Sequence, residues 1–318
     1  MADDDSTEAI KHADASECSS KQDSQSEPDI VEPSLIGYFC GQWMAAGRMS
    51  LPLDDVGFRQ GVTAVERLRT HGGKLRFAKR HLQRWQHTIN TLSIENLAST
   101  SELLGLLDEI LVRNQDAIKT LGDVGLTIVA TPGSQQDIPT LAIQIVLIDH
   151  GKVDRFRSSG QPIMITDVVQ PPCESWSRQI KVRSRIHYYL ADRAARAHHS
   201  DAIGVLADAD GTITEASTCN LAIVKAGTII SPPAESVLAG ITQSVIEEIA
   251  SSQNINWKKR PLSPQDLRTA DEVLMMGTTT GLWFASAVDE VDFKQKTRPV
   301  YLQLQSEFQR ILLAGKSS

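Results

Sequence analysis

Short turn signals between apolar strands constrain this chain more than any other feature of it. His71-Gly72-Gly73 separates residues 62–69 from 74–77, Thr131-Pro132-Gly133 lies between 125–130 and 141–148, and Asp210-Gly211 separates 202–207 from 212–215. Links this short join antiparallel neighbours, because parallel strands need a crossover of a dozen residues or more. Asp210-Gly211 predicts a type I′ turn. Further strands are expected at 162–169, 221–224, 228–230 and 273–276. Helical periodicity interrupts them. Leu82, Trp85, Ile89 and Leu92 recur at spacings of three and four in 79–92, and Ser99 with Glu102 forms a capping box ahead of Leu103, Leu107 and Ile110. Helices are also expected near 184–198, where Ile186, Tyr189, Leu190 and Ala194 share a face, at 242–251 and at 301–313. Helices mixed with antiparallel hairpins point to an α+β fold rather than a doubly wound sheet.

Composition sets the limits of the folding body. Of 318 residues, 32 are Lys or Arg and 39 Asp or Glu, a net charge of -7. Residues 1–33 hold ten acids and two bases, which leaves 30 bases against 29 acids in 34–318. The first 33 residues are rich in Ser, Asp and Glu, cannot bury enough apolar surface to offset ordering, and read as a disordered acidic tail. The neutral remainder argues against a nucleic-acid binder that neutralises many phosphates. With 41% hydrophobic residues the body can bury a sizeable core. Its expected division is a small N-terminal α/β domain at 34–149, a polar linker at 150–160, and a larger C-terminal domain with antiparallel strands at 161–318. No apolar run is long enough to span a bilayer, and the acidic start is the reverse of a signal peptide. Four cysteines without a CxxC pair suggest neither a zinc site nor a disulfide framework. A cytoplasmic protein without a metal or a membrane is expected.

The common catalytic motifs are missing: no GxGxxG follows a strand, and there is no Walker loop, GxSxG elbow or HExxH. Gly72-Gly73-Lys74 reads as a hairpin turn, His198-His199 as a solvated helix end and Lys258-Lys259-Arg260 as a solvated strand entry. What remains is an ordered series. Phe58-x-x-Gly61 precedes Glu66-x-x-Arg69, and Lys74-x-x-Phe77 precedes His81-Leu82-x-Arg84. Then come Gln179-Ile180-Lys181, Asp210-Gly211-x-x-Thr214-Glu215-Ala216-Ser217-x-x-Asn220-Leu221, and Ser231-Pro232-Pro233. Leu238-x-Gly240-Ile241-Thr242, Ala270-Asp271-Glu272 and Gly277-Thr278-Thr279 complete it.

In this series the chain resembles the class IV (fold type IV) pyridoxal-phosphate enzymes, among them branched-chain aminotransferase, D-amino-acid aminotransferase and aminodeoxychorismate lyase. The resemblance runs from about Gly41 to Ala287. It implies a two-domain fold with the active site between the domains, a homodimer, and pyridoxal 5′-phosphate (PLP) as cofactor. It also implies Lys181 as the catalytic Schiff-base lysine, and Glu215 as the carboxylate that keeps the cofactor's ring nitrogen protonated. Arg84, the helix start Gly240-Ile241-Thr242 and Thr278 match phosphate-binding positions, chemistry suited to a guanidinium and free helix amides. Arg69 and Thr279 match substrate-binding positions.

The pattern departs where substrate is bound. Val65 replaces an aromatic residue, Ser184 an asparagine and Gln243 an arginine, and the turn at 131–133 lacks an arginine that many members carry there. The implied activity is amino-group transfer between an amino acid and a 2-oxo acid, with a lean to branched-chain or apolar side chains from Arg69 and Val65. Aminodeoxychorismate lyase, forming 4-aminobenzoate and pyruvate, is the alternative, and Glu66 leans against it. A non-catalytic scaffold is a third possibility, disfavoured by the joint presence of Lys181, Glu215 and Arg84.

Overall fold

In the computed structural model, residues 35–135 and 138–314 are described. The expected acidic tail at 1–33 lies outside them. The described chain runs β1 (Ile36–Phe39), β2 (Gln42–Ala45), α1 (Val56–Arg59), β3 (Ala64–His71), β4 (Lys74–Leu75), α2 (Ala78–Thr91), α3 (Thr100–Arg113), α4 (Gln115–Leu121), β5 (Gly125–Gln135), β6 (Ile138–Val146) and α5 (His150–Ser159). It continues through β7 (Gln161–Val169), α6 (Ile186–His198), β8 (Ile203–Ala207), β9 (Ile213–Ala216), β10 (Asn220–Lys225), β11 (Thr228–Ser231), α7 (Ile241–Ser252), β12 (Trp257–Lys259), α8 (Pro264–Arg268), β13 (Glu272–Gly277), β14 (Gly281–Val288), β15 (Val291–Asp292) and α9 (Pro299–Ala314).

The first six strands form one antiparallel sheet, ordered β2-β1-β6-β5-β3-β4. The β3–β4 turn uses Gly72 and Gly73, both at positive φ, the conformation a two-residue hairpin turn demands and only glycine adopts freely. Helices α2 and α3 cover one face, burying Leu82, Trp85, Leu103 and Leu107 against Leu68, Leu126, Ile128 and Ile143. The expected capping box at Ser99 and Glu102 is present and starts α3.

The second sheet has nine strands, ordered β12-β11-β10-β13-β14-β7-β8-β9 with β15 beside β14. It is mixed rather than purely antiparallel: β7 runs parallel to both β14 and β8, and α6 makes the crossover from β7 to β8. Alternate side chains of its central strands serve two cores. Leu221, Ile223, Met275 and Trp283 join Val205 and Ile213 on one face. Ala222, Val224, Leu274, Met276 and Phe284 meet α7 and α9 on the other. Strands buried on both faces read as unbroken apolar runs.

One expectation is corrected, and one segment takes a form that its sequence did not announce. Asp210-Gly211 does not form a type I′ turn, because only Gly211 has positive φ and the hairpin closes between Asp208 and Thr212. The polar stretch beginning at His150 is helix α5, capped by the Asp149 side chain on the Lys152 amide and closed at Gly160, with Val153 and Phe156 buried. Gly160 ends it as a C-terminal glycine does.

Candidate active site

β3 sorts its side chains by the strand's two-residue period. Ala64, Glu66 and Leu68 share the face that α2 covers, and Val65, Arg67 and Arg69 share the other. Glu66 is therefore a carboxylate placed in a core, fully buried, and α2 supplies its partners. Arg84 donates to it through Nε at 3.0 Å and Nη2 at 2.7 Å, and His81 Nδ1 lies 3.0 Å from Oε1. Burial alone would raise the Glu66 pKa, but the Arg84 charge and the His81 hydrogen bond outweigh it and hold the group well below the usual carboxylate range. His81, deprived of water, titrates below its ordinary value, so its neutral ring donates from Nδ1. Arg84 was expected as a phosphate ligand off the apolar stripe of its helix. It is in fact buried, and spends three N–H groups on Glu66 and on the Ala239 carbonyl at 2.7 Å. Two of its five remain without protein acceptors among the described residues.

The segment carrying Lys181 joins the two sheets. Val65 N donates to Lys181 O at 2.9 Å, Arg183 N to Thr63 O at 3.0 Å, and Lys181 N to Thr88 Oγ1 at 3.1 Å. Backbone hydrogen bonds on both sides hold the lysine against the start of β3. Loss of water, then the Arg84 charge, push its amine down to about 7, with Glu66 and Glu215 acting in the opposite sense.

Glu215, on β9, is buried at the end of a relay. Tyr188 OH donates to Oε1 at 2.7 Å and itself accepts from Gln170 Nε2 at 3.3 Å. Asn220 Nδ2 and the Leu238 amide each reach Oε2 at 3.2 Å. Burial raises the pKa of this carboxyl, and these donors, with Lys181, offset part of the rise.

Helix α7 starts at Ile241 with Gly240 as N-cap and no capping side chain, so its first amides are unclaimed. A Cβ on Gly240 would lie 1.9 Å from Asn220 Oδ1. Glycine there lets the helix start sit on the asparagine that orients Glu215. The turn Gly277-Thr278-Thr279-Thr280-Gly281 is held by its carbonyls: Arg69 Nη1 donates to Thr279 O, and Arg157 Nε to Thr280 O at 2.8 Å.

These parts meet in one cavity. Lys181, Arg84, Glu215, Gly240, Ile241, Thr242 and Thr278 all line it, so seven of the nine residues singled out by sequence converge. An adjoining lobe shares Lys181, Arg185 and Thr278 and adds Thr279, Val65, Arg67 and Arg183. Arg69 lines neither lobe and acts through the turn it holds. Sequence reading missed Tyr188, Arg67, Arg183 and Arg185. Arg183 and Arg185 stand two and four residues after Lys181, near enough in sequence to share its surroundings, and Arg67 shares the Val65 face of β3 by the strand's two-residue period. No group of three or more His, Cys, Asp or Glu able to hold a metal occurs among the described residues.

A mixed α+β chain whose two sheets are joined at a half-buried, easily deprotonated lysine, beside an uncapped helix start and a buried carboxylate, is built for carbonyl–amine chemistry on a phosphorylated group. The chain belongs to the class IV amino-transferase family, whose model matches residues 63–288, and is thereby a PLP-dependent transaminase. It is 25% identical over 282 residues to a D-alanine aminotransferase of Staphylococcus aureus, covering 86% of this chain and 96% of that one. To a putative branched-chain-amino-acid aminotransferase of Methanocaldococcus jannaschii it is 26% identical over 253 residues, covering 76% and 83%. Among solved structures it is similar to a branched-chain aminotransferase from the thermophilic archaeon Thermoproteus uzoniensis with norvaline, with a TM-score of 0.78, 18% identity and coverage of 89% and 96%. The Escherichia coli branched-chain amino acid aminotransferase gives 0.76 and 20% over 90% and 96%. At such identity these structures bear on the fold alone.

Proposed function

We propose that this chain transfers amino groups between amino acids and 2-oxo acids with PLP held on Lys181. The observation that carries the reading is that lysine's setting: a half-buried amine, pushed down to about 7 by loss of water, in one cavity with a buried carboxylate, an arginine and an uncapped helix start. The donor set fits the cofactor. The free amides of Ile241 and Thr242, the Thr242 and Thr278 hydroxyls and the two unclaimed Arg84 N–H groups make a cradle for a phosphate dianion. When bound, the cofactor supplies an aldehyde carbon and an electron sink. Lys181, partly neutral at neutral pH, would hold that aldehyde carbon by condensation with loss of water, and can hold or return a proton at Nζ. Glu215, pinned by Tyr188, Asn220 and the Leu238 amide, is a buried acceptor suited to a cationic ring N–H. Arg69 and Arg157 keep the 277–281 turn in place, with Thr279 at its substrate edge.

The relatives reported above are named as aminotransferases, which sides with transamination over the lyase alternative. Val65 and those names support the lean to apolar substrates, although three arginines stand on the same wall. A homodimer is supported by α6, whose Ile186, Tyr189 and Leu190 are 76%, 64% and 44% exposed on one helical face.

The test is spectroscopic. Purified protein supplied with PLP should develop a visible absorbance band that bleaches when an amino donor is added. Borohydride should trap the cofactor on Lys181, and Lys181→Ala should slow the donor reaction by at least about 10²-fold. Trapping on another lysine, or no band at all, refutes the reading.

A further inference from the structure

We infer that the lobe beside Lys181 is an anion pocket that selects substrates with a second negative group, carboxylate or phosphoryl, at the end of the side chain. The inference rests on the transaminase reading above and names its substrate class. Arg67, Arg183 and Arg185 converge with Lys181 on this lobe, and no acidic residue lines it. None of the three arginines has a carboxylate within ion-pair distance among the described residues. Arg67 spends one N–H on Thr127 Oγ1 at 2.7 Å, and Arg185 one on the Ser217 carbonyl. Arg183 gives only its backbone amide, to Thr63 O. Most of their N–H groups thus lack a protein acceptor.

Such crowding is costly without an anion. Loss of water and the Arg183 charge push Arg67 down to about 10, and Arg183 is lowered by the same loss of water and by Arg185. A surface salt-bridge network would interleave acids; this cluster has none, which is how an anion receptor is built. The lobe's volume of about 270 Å³ holds a small dicarboxylate. A purely apolar side chain placed there would strip water from three guanidinium groups and give nothing back. The lobe therefore favours acidic substrates over branched-chain ones, against the lean that Val65 supports by itself.

Unreactive ligands separate this pocket from the chemistry. With PLP supplied, calorimetric titration should show glutarate and 3-phosphonopropionate binding at least about tenfold more tightly than 4-methylpentanoate, as one charge-assisted contact predicts. Whichever of the two anions binds more tightly identifies the terminal group. Arg67→Gln and Arg183→Gln should each erase most of the gap while the cofactor band persists. Arg183 is exposed, so its variant is expected to fold, and Arg183→Lys should restore part of the preference. In the donor reaction, both Gln variants should lower the acidic-to-apolar ratio of kcat/KM by about tenfold or more, mainly through KM. Equal binding of 4-methylpentanoate and the two ligands with a second anionic group, or a ratio the variants do not move, overturns the anion pocket and leaves transamination standing. Absence of reaction with any donor overturns transamination instead, and the glutarate gap then reports on the pocket alone.

Discussion

Glu66 shows how one residue ties core stability to the active site. It is ionised in a fully buried position because Arg84 and His81 compensate it, and it in turn fixes Arg84 beside the proposed phosphate cradle. Glu66→Gln leaves the Arg84 guanidinium buried without its counter-charge and should destabilise the protein by about 3–5 kcal/mol at neutral pH. The sign follows from the depressed pKa: the stabilisation is present above the ordinary carboxylate range and is lost as pH falls through the folded-state value. The difference in thermal midpoint between wild type and variant should therefore narrow in strong acid. A constant gap across pH would show that the charge is not what stabilises the site. Glu66 was visible in the sequence as part of Glu66-x-x-Arg69, but its partners were not. Arg84 lies off the apolar stripe of α2, and periodicity alone places such a residue in solvent. Only the packing of α2 on β3 reveals the carboxylate waiting beneath it.

At the level of elements, the start of α7 carries the proposed cofactor cradle, and Gly240 is where it meets the Glu215 relay. Gly240→Ala forces the new methyl against Asn220 Oδ1 and turns that side chain away from Glu215. PLP affinity should fall about tenfold or more, as loss of a hydrogen bond to a charged group predicts, while the far-ultraviolet circular dichroism stays near that of wild type. Unchanged affinity would show that Asn220 does not matter to the site. The helices of strong period, α2, α3, α7 and α9, were legible to within a few residues because an amphipathic face is a local pattern. β14 was not, since Leu282 to Ala285 serve two cores at once and leave no alternation to read. α5 was missed for the opposite reason: its two buried residues, Val153 and Phe156, are too few for a polar segment to announce itself as a helix.

For the whole molecule, the exposed face of α6 is where the proposed homodimer can be tested. Its residues Ile186, Tyr189 and Leu190 have the spacing of a core stripe, and among the described residues they are left largely uncovered. Ile186→Asp should shift the sedimenting species from dimer to monomer and weaken cofactor binding, whereas a wild-type monomer with full cofactor affinity would rule the dimer out. No described helix is long and apolar enough to cross a membrane.

The ordered residues from Phe58 to Thr279 determined the family and nominated Lys181, the Glu215 carboxylate and the helix start proposed for the phosphate, because each is a local motif whose chemistry demands a residue type at a set spacing. Only the tertiary structure decided what surrounds the substrate. Arg67 is far from Arg183 and Arg185 in sequence, and their charges share one lobe only because the segment of Lys181 adds its backbone to the edge of β3. Charge clustering of that kind depends on which strands become neighbours, a long-range pairing that no window of sequence contains.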